Sequence, residues 1–406
     1  MKRETVSGIM MILLLTSMLM LAFNIRVVRA SGTIYIRADG SIDPPTAPIS
    51  SVDNVTYILT GNIASDADGI VIERDNITLV GAGYTVQGTS TQSEGILLSG
   101  RSNVTVKNTE VTEFDIGLSL IGSNNNTIYG NNITNNDIGI GLNYSSSNSV
   151  SSNNITENGH GIWVYLGVSN SISGNNFTAN NWYGIGLIDS SSNVISGNNI
   201  INTQDDGIIV SSGSNNSISG NTIANNQVGI GLSWCYYSHN ISGNTIANNW
   251  ESIRPVYSSS ISIYHNNFIG NTRKIGGYSS GANTWDDGYP SGGNYWSDYT
   301  GADANSDGIG DTSYIINGIE QDHYPLMSPW GKIPELPSPR FWATQWAPQW
   351  LFYAIVAVVI VALVGAVYFL KKRKSPATLS PPPEDISQNT TQNSISHNST
   401  KGRKEY

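Results

Sequence analysis

"GNNITNNDIGIGL" at Gly130–Leu142, "GNNFTANNWYGIGL" at Gly174–Leu187 and "GNTIANNQVGIGL" at Gly220–Leu232 are one phrase written three times. Aligned on the apolar residue after the Asn pair, the phrase recurs at Val111, Ile133, Ile155, Phe177, Ile200, Ile223, Ile246 and Phe268, in steps of 22 or 23 residues. Ile63 and Val86 read as degenerate earlier copies, giving about ten units. Each unit has an apolar residue five positions earlier, such as Val106 or Ile128, and a later Gly-Ile-x-Leu/Val segment. Alternating apolar pairs bounded by Asn, Gly and Ser read as short strands joined by turns. The gaps lack the helix formers and the longer 3.6-residue stripe a helix needs.

Three short strands in 22 residues make one coil of a solenoid. A single coil cannot bury its apolar residues, but a stack of coils can. The predicted fold class is all-β, a parallel β-helix of about ten coils and roughly 48 Å, since strands pair about 4.8 Å apart. Asn131, Asn153, Asn175, Asn198, Asn221, Asn244 and Asn266 then fall above one another as a ladder of amides. No proline lies between Pro48 and Pro255, as central strands require. A leucine-rich horseshoe has a similar period, but leucine is too sparse here.

The ends are of another kind. Lys2 and Arg3 precede the apolar run Ile9–Phe23, and Val28-Arg29-Ala30 offers a cleavage site, so residues 1–30 read as a signal peptide. Leu351–Leu370 is twenty residues without a formal charge, enough to span a bilayer. Lys371-Lys372-Arg373-Lys374 follows and predicts a cytoplasmic tail, with Trp342, Trp346 and Trp350 at the outer interface. The expected order is signal 1–30, N-terminal cap 31–62, β-helix 63–276, aromatic and Asp/Gly-rich cap 277–330, Pro-rich spacer 331–350, transmembrane helix 351–370 and disordered tail 371–406. The product is a single-pass cell-membrane protein with its bulk outside the cell.

Charge narrows the partners. Residues 31–350 hold nine Lys/Arg against 26 Asp/Glu, with no Lys or Arg between Lys107 and Arg254. Such a surface repels phosphate backbones, which excludes nucleic acid. Cys235 is the only cysteine, so no internal disulfide holds the exterior together. Ten Asn-x-Ser/Thr sequons between Asn54 and Asn240 make a glycoprotein an expectation.

The stretch "SNSISGNNFTANNWYGIGL", residues 169–187, resembles the NosD-like right-handed parallel β-helix family. Its repeats also occur in carbohydrate-binding proteins and sugar hydrolases. The resemblance covers about Ile63–Gly276, and the aromatic segment after it resembles the module that closes such helices in archaeal surface proteins. It implies a right-handed coil and periplasmic copper handling. Copper wants soft or imidazole ligands. The exterior offers Cys235, Met327, His160, His239, His265 and His323, of which only Cys235 and His239 form a close pair, which argues against copper. His265 reads as an exposed turn residue.

Reading sideways along the repeat gives the candidate site. Most units place seven residues between their second and third apolar points, but Phe177 to Ile185 and Ile200 to Ile208 place eight. The extra residue falls in the turns carrying Trp182-Tyr183 and Asp205-Asp206, with His160 and Trp163 on the neighbouring coil and Asp137 and Asp115 on earlier ones. Aromatic faces beside carboxylates suit sugar rings. Paired carboxylates also serve glycoside hydrolysis, which would make Asp205, Asp206 and His160 catalytic and Trp163, Trp182, Tyr183, Asp137 and Asp115 ligand-binding. "GHG" at 159–161 and Asp205-Asp206 resemble two motifs of β-helical polygalacturonases, but in reversed chain order and without a basic pair nearby. The first reading is therefore a binding or structural module for polysaccharide or surface glycan. A polysaccharide hydrolase is the second, and a copper-handling accessory the third. Separately, Asp303, Asn305, Asp307, the Ile309 carbonyl and Asp311 have calcium-loop spacing, with Gly308 sixth and Tyr314 where an EF-hand has Glu. That pattern predicts a calcium-stabilised turn.

Overall fold

The computed structural model describes residues 32–89, 92–277 and 283–339. The predicted signal peptide and transmembrane segment lie outside the described residues, among which no helix is long and apolar enough to cross a membrane. The described chain is a right-handed parallel β-helix of about ten coils. Each coil contributes a strand to three sheets. Sheet 1 has twelve strands, six residues long in its middle, such as Ile138–Asn143 and His160–Tyr165. Sheets 2 and 3 have eleven each, mostly of three residues, such as Ser149–Ser151 and Asn154–Thr156.

The register is the one the repeat dictates. Val106 pairs with Ile128, Val111 with Ile133, and Leu118 with Ile140. Three apolar columns point inward along the rod, and nearly all their members are fully buried. Each such side chain contributes about 1.5–3 kcal/mol relative to exposure. Parallel pairing begins before the expected Ile63, with Ile34 opposite Ile70 and Tyr57 opposite Leu79. Weak Asn signals in these first coils hid them. Pro255 lies in the sheet 1 strand Glu251–Val256, and the next strand stops at Ile275 opposite Ile253, short of it. A proline is tolerated at such a poorly paired edge.

Each corner turns on one residue with left-handed backbone: Asn108, Gly130, Ser152 and Gly174 between sheets 2 and 3, and Glu113, Asn135, Glu157 and Ala179 between sheets 3 and 1. The residue after it is Thr109 or Phe114 in the first of these coils and a buried Asn in the three that follow. Asn131 donates its N–H (2.9 Å) and its amide (3.0 Å) to Asn153 Oδ1, and its amide also reaches the Val106 carbonyl (3.0 Å). The predicted ladder repeats this through Asn266 to Asn294. Two further ladders occupy the other corners: Asn126, Asn148, Asn170, Asn193 and Asn216, and Asn136, Asn158 and Asn180 with Asn226, Asn249 and Asn271. Thr203 interrupts the last one, and its hydroxyl has no partner.

The C-terminal segment closes the rod. Trp296 stacks on Phe268 at 4.2 Å, and Trp285 is buried beside them. A ladder's final Asn has donors left over, and acceptor-only carboxylates take them. Asp322 Oδ2 receives the Asn294 N–H at 2.7 Å and the Trp296 Nε1–H at 2.9 Å, and Glu320 receives the Asn283 amide at 2.8 Å. Burial pushes the Asp322 carboxyl up to about 6. The chain then runs back along sheet 3. Trp330 is held by both ends of the Asn267 amide, and the Ser338 carbonyl accepts from Asn225 at 2.8 Å. The first residues of the predicted spacer are therefore docked on the rod. His265 is not the exposed turn residue expected, because Trp330 stacks on its ring at 3.6 Å.

Candidate functional site

In sheet 1 the first, fourth and sixth residues of a strand face outward. Register places His160 opposite Tyr183, Trp163 opposite Gly186, Asp206 opposite Val228 and Gly231 opposite Arg254. The two one-residue insertions swell the turns before Tyr183 and Asp206, and the Trp182 N–H is held by the Gly159 carbonyl at 2.7 Å. The predicted aromatic column forms. The His160 ring lies 5.0 Å from Trp163, 5.2 Å from Tyr183 and 6.5 Å from Trp182, and Trp163 lies 6.1 Å from Tyr183 at 18°. Trp182 is 56% exposed. Gly186 is required beneath Trp163, since a Cβ there would come within 2.8 Å of the indole. Burial lowers the His160 pKa, and Asp137 pulls the other way. Asp137 therefore joins this cluster. Asp115 instead acts on Glu94, whose carboxyl is raised mainly by burial.

The acid pair differs from its sequence reading. Asp206 is fully buried although it faces outward, its carboxylate lying in the space left by the missing side chain of Gly231. Arg254 closes it from above, with Nη2 at 2.6 Å from Asp206 and 3.7 Å from Asp205. One basic partner, though not a pair, thus stands beside the acids, 48 residues along the chain but only two coils along the rod. Counting repeats from Ile209 through Gly231 reaches Arg254, and that was the available signal. Burial pushes the Asp206 carboxyl up to about 7; Arg254 pulls it down, and the Asp205 carboxylate adds to the rise. Asp206 Oδ2 has no partner. Glu251 repeats the arrangement over Gly276, paired with Arg273 at 3.3 Å.

The candidate metal donors are dispersed. In the Asp303–Asp311 loop the carboxylates accept the loop's own N–H groups: Asp303 from Asp307 and Gly308, Asp307 from Ile309, and Asp311 from Ala304. Asn305 donates to Asp307 at 2.9 Å, and Ile309 is buried. Cys235 and His239 both serve the rod's corners. Cys235 is fully buried where other coils have Ser145 or Ser190, and burial pushes its thiol up to about 11. His239 continues an Asn ladder, its Nδ1 facing the Asn216 N–H at 3.4 Å, and burial lowers it to about 4. His323 pairs with Asp286 at 2.8 Å, and His265 sits under Trp330.

The family model described as periplasmic copper-binding protein (NosD) matches residues 48–193 and 169–301, more than half of the chain. The chain belongs to the NosD family. Among curated proteins none matches it. Among solved structures, this NosD-family rod is similar to the A-module of a mannuronan C-5 epimerase from Azotobacter vinelandii, at 17% identity and a TM-score of 0.37, over 56% of this chain and 78% of that one. It is similar to a periplasmic alginate epimerase at 14% identity and a TM-score of 0.36, over 61% and 84%. The Dettilon tailspike protein matches at 14% identity and a TM-score of 0.35, over 56% of this chain and 59% of the tailspike. The family description implies copper, and the residues present do not fit it. Among the described residues no three His, Cys, Asp or Glu side chains gather closely enough to hold a metal ion, and the Cys235 thiol and His239 Nδ1 are engaged within the rod's corners.

Proposed function

We propose that this NosD-family rod binds saccharide on the outer face of sheet 1, displayed outside the cell on the Leu351–Leu370 anchor after removal of residues 1–30, and that its Asp303–Asp311 loop, whose three carboxylates do not converge as they stand, rearranges to take calcium. The observation that carries the reading is the half-exposed Trp182 standing with His160, Trp163 and Tyr183 beside an acid pair and a guanidinium. Aromatic faces stack on sugar C–H faces, while Asp205 and Arg254 offer an acceptor and donors for hydroxyls. A glycan array probed with the wild type and with Trp182→Ala tests it. The wild type is expected to retain a defined set of glycans and the variant to lose at least tenfold in signal. Retention of none, or equal retention by both, refutes the site.

Hydrolysis by Asp205, Asp206 and His160 is the second reading. It is favoured by one observation: a carboxyl raised to about 7 holds a proton near neutral pH, as a general acid must. Access weighs against it, because the Asp206 side chain is 1% exposed beneath Arg254. A reducing-end assay on the glycans retained by the array decides it. Hydrolysis that Asp206→Asn abolishes supports catalysis, and absent or unchanged hydrolysis leaves binding alone.

A further inference from the structure

At its far edge, sheet 1 leads into a corner whose first residue is left-handed in every coil from Gly100 and Gly122 through Tyr144, Leu166, Asp189 and Ser212 to Trp234 and Tyr257. Glycine adopts that backbone freely, whereas a bulky aromatic there is strained. Trp234 has φ +58° and Tyr257 φ +49°. Neither earns its place by filling the core, being 52% and 49% exposed. Their rings stack at 4.7 Å, with Tyr236 edge-on to Trp234 at 6.4 Å. Tyr257 covers one face of Trp234. On the other side the column continues as Ser212 and then Asp189, neither of which carries a ring.

Between this corner and the Trp182 edge the ground is low, with the Asp206 carboxylate filling the place over Gly231 and the Arg254 guanidinium above it. Ile209, Ser211, Gly231 and Ser233 face outward there, and Gly231 has no side chain. A six-residue strand covers roughly 20 Å, so the two aromatic edges lie one strand length across and two coils along the same face.

We infer that the saccharide site continues across sheet 1 to Trp234, so that the ligand is a linear glycan of several sugars lying over the strands, gripped by Trp182 at one edge and Trp234 at the other. This rests on the saccharide reading above.

Calorimetry separates the two. Cellobiose, cellohexaose, digalacturonate and hexagalacturonate are titrated into the full-length wild type, Trp182→Ala, Trp234→Gly and Trp234→Phe. In the series that binds, the hexamer is expected to bind at least tenfold more tightly than the dimer. Trp234→Gly should remove that gain and leave dimer affinity unchanged, Trp234→Phe should keep it, and Trp182→Ala should weaken both lengths. Trp234→Gly places the residue of Gly100 and Gly122 in the same column, so its Tm should equal or exceed the wild type's. Equal affinity for dimer and hexamer, or a gain that survives Trp234→Gly, overturns the inference and leaves the Trp182 site standing. No binding of any of the four overturns both. Dissociation of a wild-type dimer by Trp234→Gly in sedimentation would assign the corner to self-association and overturn it as well.

Discussion

Asn175→Ala removes one rung from the middle of the best-formed ladder. The Asn175 side chain accepts the Asn153 N–H at 3.0 Å and the Asn153 amide at 2.9 Å, and donates to the Val150 carbonyl at 2.9 Å and to Asn198 Oδ1 at 3.0 Å. All four bonds are buried. Three of them at about 1 kcal/mol each, plus an orphaned Asn153 N–H at about 1–3 kcal/mol, put the cost near 4–6 kcal/mol. Asn176 is the control, one residue on and facing solvent. It makes two amide bonds to its coil neighbours, at 2.9 and 2.8 Å, and exposed bonds of this kind cost under about 1 kcal/mol to lose. Urea unfolding followed by far-UV circular dichroism compares the two variants with the wild type. A rod can unfold from one weakened coil, so a lower midpoint with a broader transition for Asn175→Ala fits the mechanism. Equal midpoints for Asn175→Ala and Asn176→Ala would refute the claim that buried amides hold the coils in register.

Thr203→Asn should complete the interrupted ladder between Asn180 and Asn226, whose Oδ1 already accepts the Thr203 N–H at 2.8 Å, and raise stability by about 1–2 kcal/mol in the same assay; an unchanged or lower midpoint counts against it. Asp206 has a folded pKa raised to about 7 from an ordinary 3.8, so its contribution to stability is present below about pH 4 and is lost as pH rises towards 7. Asp206→Asn should therefore gain on the wild type across that window, by up to about 4 kcal/mol, and a difference independent of pH would contradict the assignment. Calcium at a hundredfold excess over its Kd should add about 2.7 kcal/mol to stability, and Asp303→Asn should abolish the effect; no shift in the wild type removes calcium from the account.

The sequence carried the fold because each apolar column repeats at the coil period and each corner repeats its Asn. Two of the three ladders are hard to see in the sequence for a local reason. Asn126 and Asn136 sit in runs crowded with other Asn and Ser, so their periodicity has little contrast, whereas Asn131 always precedes the strand residue used for alignment. The aromatic half of the site was legible because His160, Trp182 and Tyr183 occupy one turn column on adjacent coils. Arg254 was not, because a side chain that reaches back over a glycine crosses two coils, and linear spacing gives no hint of that reach. The burial of Asp206 has the same origin: the open space belongs to Gly231, a residue that looks merely repetitive. His265 reads as exposed from the repeat alone because the segment that covers it, at Trp330, lies beyond the repeats.

The most direct test of the saccharide account is hydrogen–deuterium exchange with and without the best glycan from the array. Protection is predicted over residues 159–165, 181–188 and 205–212, with the corner at 233–236 included for a long glycan, while sheets 2 and 3 and the C-terminal cap stay unchanged. Protection confined to sheet 2, sheet 3 or the cap would contradict the account.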